Sequence, residues 1–258
     1  MKNHVNNSQL IDTEKRTIEA DERLTIEEVS NILACEGPTD RALEALFFRD
    51  GQVAREAIWS IVEDATKSIQ WTPILIQLLE SENWMTRLPA VNALITTYRS
   101  GYSGIRPSNR TLGLLSGDEC DTVRGDAVEL IMRTTANNDR STKYAHKFIL
   151  DPSENVRVAL LDLSIDLLPP TILTTIISRG LFDPSYRVLT SACRLTARSG
   201  IHAHRFSDRL SALKHKTDPE LQSAAEQALD SIQDERGKRV RGGKGSRGGN
   251  EEKGNGIV

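Results

Sequence analysis

Arginine is the residue whose spacing in this sequence most invites chemistry. Arg55, Arg87, Arg124, Arg157 and Arg187 each sit near the start of a similar segment, at intervals of 32, 37, 33 and 30 residues, and Gln222 takes the same place 35 residues further on. A guanidinium presents a planar fork of donors that suits a phosphate or a carboxylate, so a regular row of them has two uses. An exposed row would be a track for anions. A buried row must meet carboxylates, because a buried charge without a partner is costly. On a helical wheel, the positions one before and three, six, seven and ten after each arginine are mostly apolar, as in Val123, Ala127, Leu130, Ile131 and Thr134. The apolar arc surrounds the arginine direction, so the five arginines are expected to form a structural ladder, paired with Asp or Glu near the turns.

Counting two, five and nine residues after each arginine gives the opposite face. Asp64, Asp126, Glu129, Arg133, Asp162 and Asp166 fall on it, five acids against one base. Two readings stand for this stripe. It is either an ordinary solvated helix face or a groove for a basic or polar segment of a partner.

A second cluster lies in Tyr98-Arg-Ser-Gly-Tyr-Ser-Gly-Ile-Arg-Pro-Ser-Asn-Arg110, where Tyr98, Arg99, Tyr102, Arg106 and Arg110 interleave rings with guanidinium groups. Such a loop stacks bases and holds phosphates, or simply keeps an insertion soluble. His202, His204, Asp208 and His215 superficially offer metal ligands, but no cysteine joins them and no metal is expected there. Cys35, Cys120 and Cys193 are scattered, without a CxxC pair. The sequence has no GxSxG, HExxH or Walker-type glycine loop, so it suggests neither a catalytic residue nor a cofactor.

The elements that must position these side chains are repeated. Six segments, from Gly51-Gln-Val-Ala-Arg55 to Asp218-Pro-Glu-Leu-Gln222, each begin a helix, and upstream of each lies a second apolar helical pattern such as Pro73-Ile-Leu-Ile or Thr171-Ile-Leu-Thr. Asp151-Pro152, Asp183-Pro184 and Asp218-Pro219 mark the turns between the two, the carboxylate placed to cap and the proline to begin the second helix. Thr25-Ile-Glu-Glu28 is a capping box for a helix ending near Gly37-Pro38, which would close the N-terminal end of the array.

An acidic turn residue, then Val-Arg, then a small residue three positions on resembles the HEAT-repeat class. Asp121, Val123-Arg124 and Ala127 carry the pattern, as do Asp151, Val156-Arg157 and Leu160, while Thr86 and Tyr186 stand where the valine is expected. The resemblance covers residues 38 to 232. It implies an all-α, right-handed solenoid of about six helix pairs, and it says little of function, because the architecture hosts many roles. Three domains of the chain follow: a polar extension over 1–24, the solenoid over 25–233, and a basic glycine-rich disordered tail over 234–258.

Composition bounds the function classes. The hydrophobic fraction of 38% and aromatic fraction of 5% suit an elongated body. No apolar run approaches the roughly 20 residues that span a bilayer, and the polar N-terminus has no signal-like core, so a cytoplasmic protein is expected. The body is not basic: the net charge is −3, and the bases cluster instead in the tail between Arg236 and Arg247. The leading expectation is a non-catalytic scaffold or adaptor that binds another protein on the concave face through Asp126, Glu129, Arg133, Asp162 and Asp166, with Tyr98, Arg99, Tyr102 and Arg106 at its edge. The alternatives are a nucleic-acid-binding accessory protein using the tail and the Tyr/Arg loop, or a HEAT-like enzyme of the kind represented by bilin lyases and alkyl-base DNA glycosylases.

Overall fold

The computed structural model describes residue 58 and residues 65–102, 104–135, 139–200 and 203–242, with the backbone alone for 65–68, 203 and 234–242. Arg55, Trp59 and Asp64 of the first repeat, the capping helix beginning at Thr25, His202 and the tail after 242 lie outside the described residues.

Among the described residues, ten α-helices follow one another: α1 Ala65–Leu78, α2 Trp84–Arg99, α3 Asn109–Leu115, α4 Asp121–Thr135, α5 Asp139–Phe148, α6 Glu154–Leu167, α7 Pro170–Gly180, α8 Tyr186–Ser199, α9 Ser207–Lys214 and α10 Pro219–Gly242. A short 3-10 turn, Ala203–Phe206, leads into α9. The helices alternate between two layers. The even-numbered helices stack side by side in the order α2, α4, α6, α8, α10, and each odd-numbered helix lies against the even-numbered helix that follows it.

Side-chain caps mark where three of the helices begin. The Asn83 side chain accepts from the Met85 amide, Ser108 from Thr111, and Ser185 from Val188, occupying donors that have no partner within the first turn. Gly200, at φ +57, ends α8 in the left-handed conformation that a glycine adopts without steric cost. The core is built from one position per repeat and its neighbours: Thr86, Val123, Val156, Val188 and Leu221 are all buried at the same place in the even-numbered helices. Gly180 lets α7 come close, since a Cβ there would stand 2.9 Å from the Ala192 Cβ and 3.1 Å from a Leu161 methyl.

That register corrects the sequence alignment of the fifth repeat. With Asp151 laid on Asp183, Val188 takes the place of Val156 and Leu189 takes the place of Arg157, so neither Tyr186 nor Arg187 stands where expected. Pairing the arginines by identity put this repeat two residues out of phase; the turn Asp-Pro-Ser, shared by 151–153 and 183–185, sets the phase correctly.

The C-terminal boundary also moves. The backbone of α10 remains helical to Gly242, past the expected end of the solenoid at 233. The stretch 234–241 is rich in strong helix formers and holds only Gly237 against them, whereas glycines recur from 242 onward. Among the described residues, no helix is long and apolar enough to cross a membrane.

Candidate functional site

Three arginines tie successive repeats together in one geometry. Arg87 donates from Nε and Nη2 to the two oxygens of Asp118, at 2.6 and 2.8 Å, while its Nη1 donates to the carbonyls of Ser81 and Glu82. Arg124 does the same with Asp151 and the carbonyls of Asp118 and Glu119, and Arg157 with Asp183 and the carbonyls of Asp151 and Pro152. Each aspartate also accepts an amide proton from two residues further on, at 2.9 Å from Cys120, Ser153 and Ser185. Every oxygen and nearly every donor of these forks is therefore engaged inside the array, which leaves little to offer a ligand.

Arg187 is not a rung of this ladder. It lies on the exposed first turn of α8 and donates to Glu154 and Asn155 of the preceding repeat, with 62% of its side chain exposed. Leu189, buried, fills the rung position. Gln222, one repeat later, keeps only a contact of the ladder: its amide donates to the Lys216 carbonyl, six residues back, as the arginine Nη1 does elsewhere.

The outward stripe of the even-numbered helices is more mixed than a row of acids. Glu129 is buried rather than solvent-facing, and two arginines bond it: Arg99 from the end of α2 through Nε and Nη2, and Arg133 through Nε at 2.6 Å. Burial alone would raise the Glu129 carboxyl, but the hydrogen bonds from Arg99 and Arg133 outweigh it and hold the group below the usual carboxylate range. Asp126, half-buried, accepts from the Asn92 amide at 2.8 Å. Desolvation pushes its carboxyl up, Asn92 opposes this, and the charge of Glu129 adds to it.

Asp162 and Asp166 are exposed on α6. Arg198 of α8 stands beside them, 3.9 Å from the Asp166 carboxylate, with a further bond to the Asp162 carbonyl. In the corrected register the fifth repeat contributes Arg194 and Arg198 to the stripe, both missed by counting from Arg187. Aligning the repeats on their turn aspartates would have found them. The stripe thus runs from the Arg99, Glu129 and Arg133 cluster through the Asp162 and Asp166 pair to Arg194 and Arg198.

A cavity of about 300 Å³ opens in this face, lined by Asn92, Ile95, Thr96 and Arg99 of α2, Gly125, Asp126 and Glu129 of α4, and Ala159 and Leu163 of α6. Gly125 and Ala159 leave it open where larger side chains would close it.

The Tyr/Arg segment is divided by the structure. Arg99 belongs to α2 and to Glu129, not to the loop. Tyr98 donates to the Ile105 carbonyl at 2.7 Å, Ile105 returns its amide proton to the Tyr102 hydroxyl, and the two rings tilt against each other with centroids 6.3 Å apart. Burial raises the Tyr98 hydroxyl to about 12. Arg106 donates to the Thr134 carbonyl at the end of α4, and Arg110 is exposed. The loop is folded back on the array, close to the Arg99 end of the stripe.

Solved structures resemble this arrangement. A HEAT-like repeats protein from the archaeon Thermococcus onnurineus NA1 superposes with a TM-score of 0.52 at 14% identity, covering 83% of this chain and 99% of that one. An engineered protein superposes with a TM-score of 0.50 at 17% identity, covering 87% and 67%. A designed armadillo repeat protein gives 0.46 at 19% identity, covering 74% and 98%. No family model matches the sequence, and no curated protein does. At these identities the likeness is one of fold: the chain is a HEAT-type α-solenoid.

Proposed function

We propose that this protein is a non-catalytic scaffold or adaptor that binds another protein on the stripe of its even-numbered helices. The observation that carries the reading is the contrast between two sets of charged side chains. The ladder arginines are consumed internally, whereas the stripe holds charges of both signs at the surface, around a cavity that spans three helices. Repeat architectures use such extended faces for recognition, and electrostatic pairing along them sets partner choice and association rate.

The test is affinity capture from the source cell with wild type, with Asp162→Lys plus Asp166→Lys, and with Lys143→Glu plus Arg179→Glu as a control on the exposed side of the odd-numbered layer. A protein partner lost with the first pair and kept with the second supports the reading, and rising salt should weaken that capture. If both double variants retain the same partners, the stripe is only a solvated face. Nucleic acid recovered in place of protein, with a salt-sensitive gel shift that depends on Arg106 and Arg110, would instead favour the accessory-protein alternative.

A further inference from the structure

The cavity between α2, α4 and α6 contains two carboxylates in unlike circumstances. Glu129 is claimed by two guanidinium groups. Asp126 is held only by the neutral amide of Asn92, and among the described residues no cation lies within 4 Å of it; the charged group that acts on it most directly is Glu129, of its own sign. Its neighbours in the wall are acceptors too. The Asn92 amide nitrogen is spent on Asp126 and on the Leu88 carbonyl, which leaves the Asn92 carbonyl oxygen for a ligand. Thr96 gives its hydroxyl proton to the Asn92 backbone and so offers a lone pair. Ile95, Ala159 and Leu163 supply apolar surface beside these oxygens, and a Cβ added to Gly125 would meet nothing within 4 Å.

The Arg99 guanidinium also lines the cavity but is turned onto Glu129; the acceptors around Asp126, its one uncompensated negative charge and the apolar wall together describe the complement of a particular side chain. Lysine carries three donors and no acceptor on a compact head, and its methylene stem packs well against apolar surface. We propose that this cavity is a lysine subsite within the partner-binding face, taking one lysine side chain of a protein partner, with Asp126, Asn92 and Thr96 as acceptors of its ammonium and Ile95, Ala159 and Leu163 against its stem. The proposal rests on the reading that the stripe receives a protein, and it specifies what that protein must present.

The experiment selects a random displayed-peptide library on the full-length chain, then measures the affinity of the recovered peptides with lysine and with norleucine, which keeps the stem and removes the ammonium. Binding is compared on wild type, Asp126→Asn, Ala159→Met and Asp162→Lys plus Asp166→Lys, with circular dichroism to check folding. The expected result is a recurrent lysine whose replacement by norleucine weakens binding to wild type about tenfold or more, but has little effect on Asp126→Asn, because the two changes remove the same contact. Ala159→Met, which fills the cavity without touching its charge, should weaken the lysine peptides even if Asp126→Asn does not fold. Peptides that depend on Asp162 and Asp166 but carry no lysine, and are indifferent to Asp126→Asn and Ala159→Met, would overturn the subsite and leave the scaffold reading intact. A recurrent acidic residue coupled to Arg99 or Arg133 would overturn it as well. Peptides indifferent to every variant of the face would defeat both.

Discussion

The middle of the array and its C-terminal end solve the same stacking problem differently. From α2 to α8, each junction carries a largely buried arginine that bridges to the next turn aspartate and to two carbonyls of its own turn. Between α8 and α10 the rung is Leu189, and Asp218, the next turn aspartate, is left to accept the Leu221 amide at the start of its own helix. Yet α8 and α10 pack closely, with Ala224, Ala225 and Ala228 buried along α10. An ionic rung is therefore not required for two repeats to stack. What it adds in the middle is a directional contact: a bidentate fork is satisfied in one register only, whereas apolar packing tolerates sliding.

The largest expected effect comes from breaking a rung on one side. Arg124→Ala leaves the Asp151 carboxylate buried with only the Ser153 amide, and should cost about 3 to 5 kcal/mol in denaturant unfolding. If the loss is under about 1 kcal/mol, the rungs are ornaments of a stack held by apolar contacts alone. Converting a middle junction into the terminal kind is the sharper test. Arg157→Leu with Asp183→Asn should recover most of the loss caused by Arg157→Leu alone, because both partners of the partly buried pair lose their charge together. Leu189→Ala removes the terminal junction's substitute for a rung, and a cavity of that kind costs about 2 to 5 kcal/mol by the same measurement.

The two cavity carboxylates make opposite predictions about acid. Glu129 titrates below its ordinary 4.5, so its contribution to stability is complete above that pH and is lost as pH falls through the lower folded value. Asp126 titrates above its ordinary 3.8, so its protonation favours the folded state and stability is regained as pH falls through the raised value. Urea unfolding followed from pH 7 into the acid range should therefore show a shallower loss for Glu129→Gln than for wild type, and a steeper loss for Asp126→Asn. Equal slopes for all three proteins would mean that neither carboxylate differs between folded and unfolded chains.

The smallest effect belongs to Arg187→Ala. Arg187 was expected to belong to the ladder, but its pairs with Glu154 and Asn155 are exposed, where water screens them and they contribute little. A loss as large as that of Arg124→Ala would restore it to the ladder and unseat Leu189.

The helices, their alternation and three of the rungs were legible because each depends on short-range chemistry that a sequence displays: an aspartate at a turn, a proline after it, apolar residues at helical spacing, an arginine six places on from Asp118 to Arg124 and from Asp151 to Arg157. The same signal held the answer for the fifth repeat, and was misread there because arginine was matched to arginine instead of aspartate to aspartate. The character of the stripe was decided elsewhere. No periodicity says that Arg99, thirty residues before Glu129, turns its guanidinium onto that carboxylate, or that Arg133 meets it from one turn away; an acid counted as exposed on a wheel becomes the buried centre of a cluster once the neighbouring helix is laid beside it. Nor does the sequence show that Gly125 and Ala159, on different helices, leave a space in front of Asp126. Helix position follows from local pattern, but the partners of a charge, and the room around it, are set by which helices pack together and how far apart their small residues leave them.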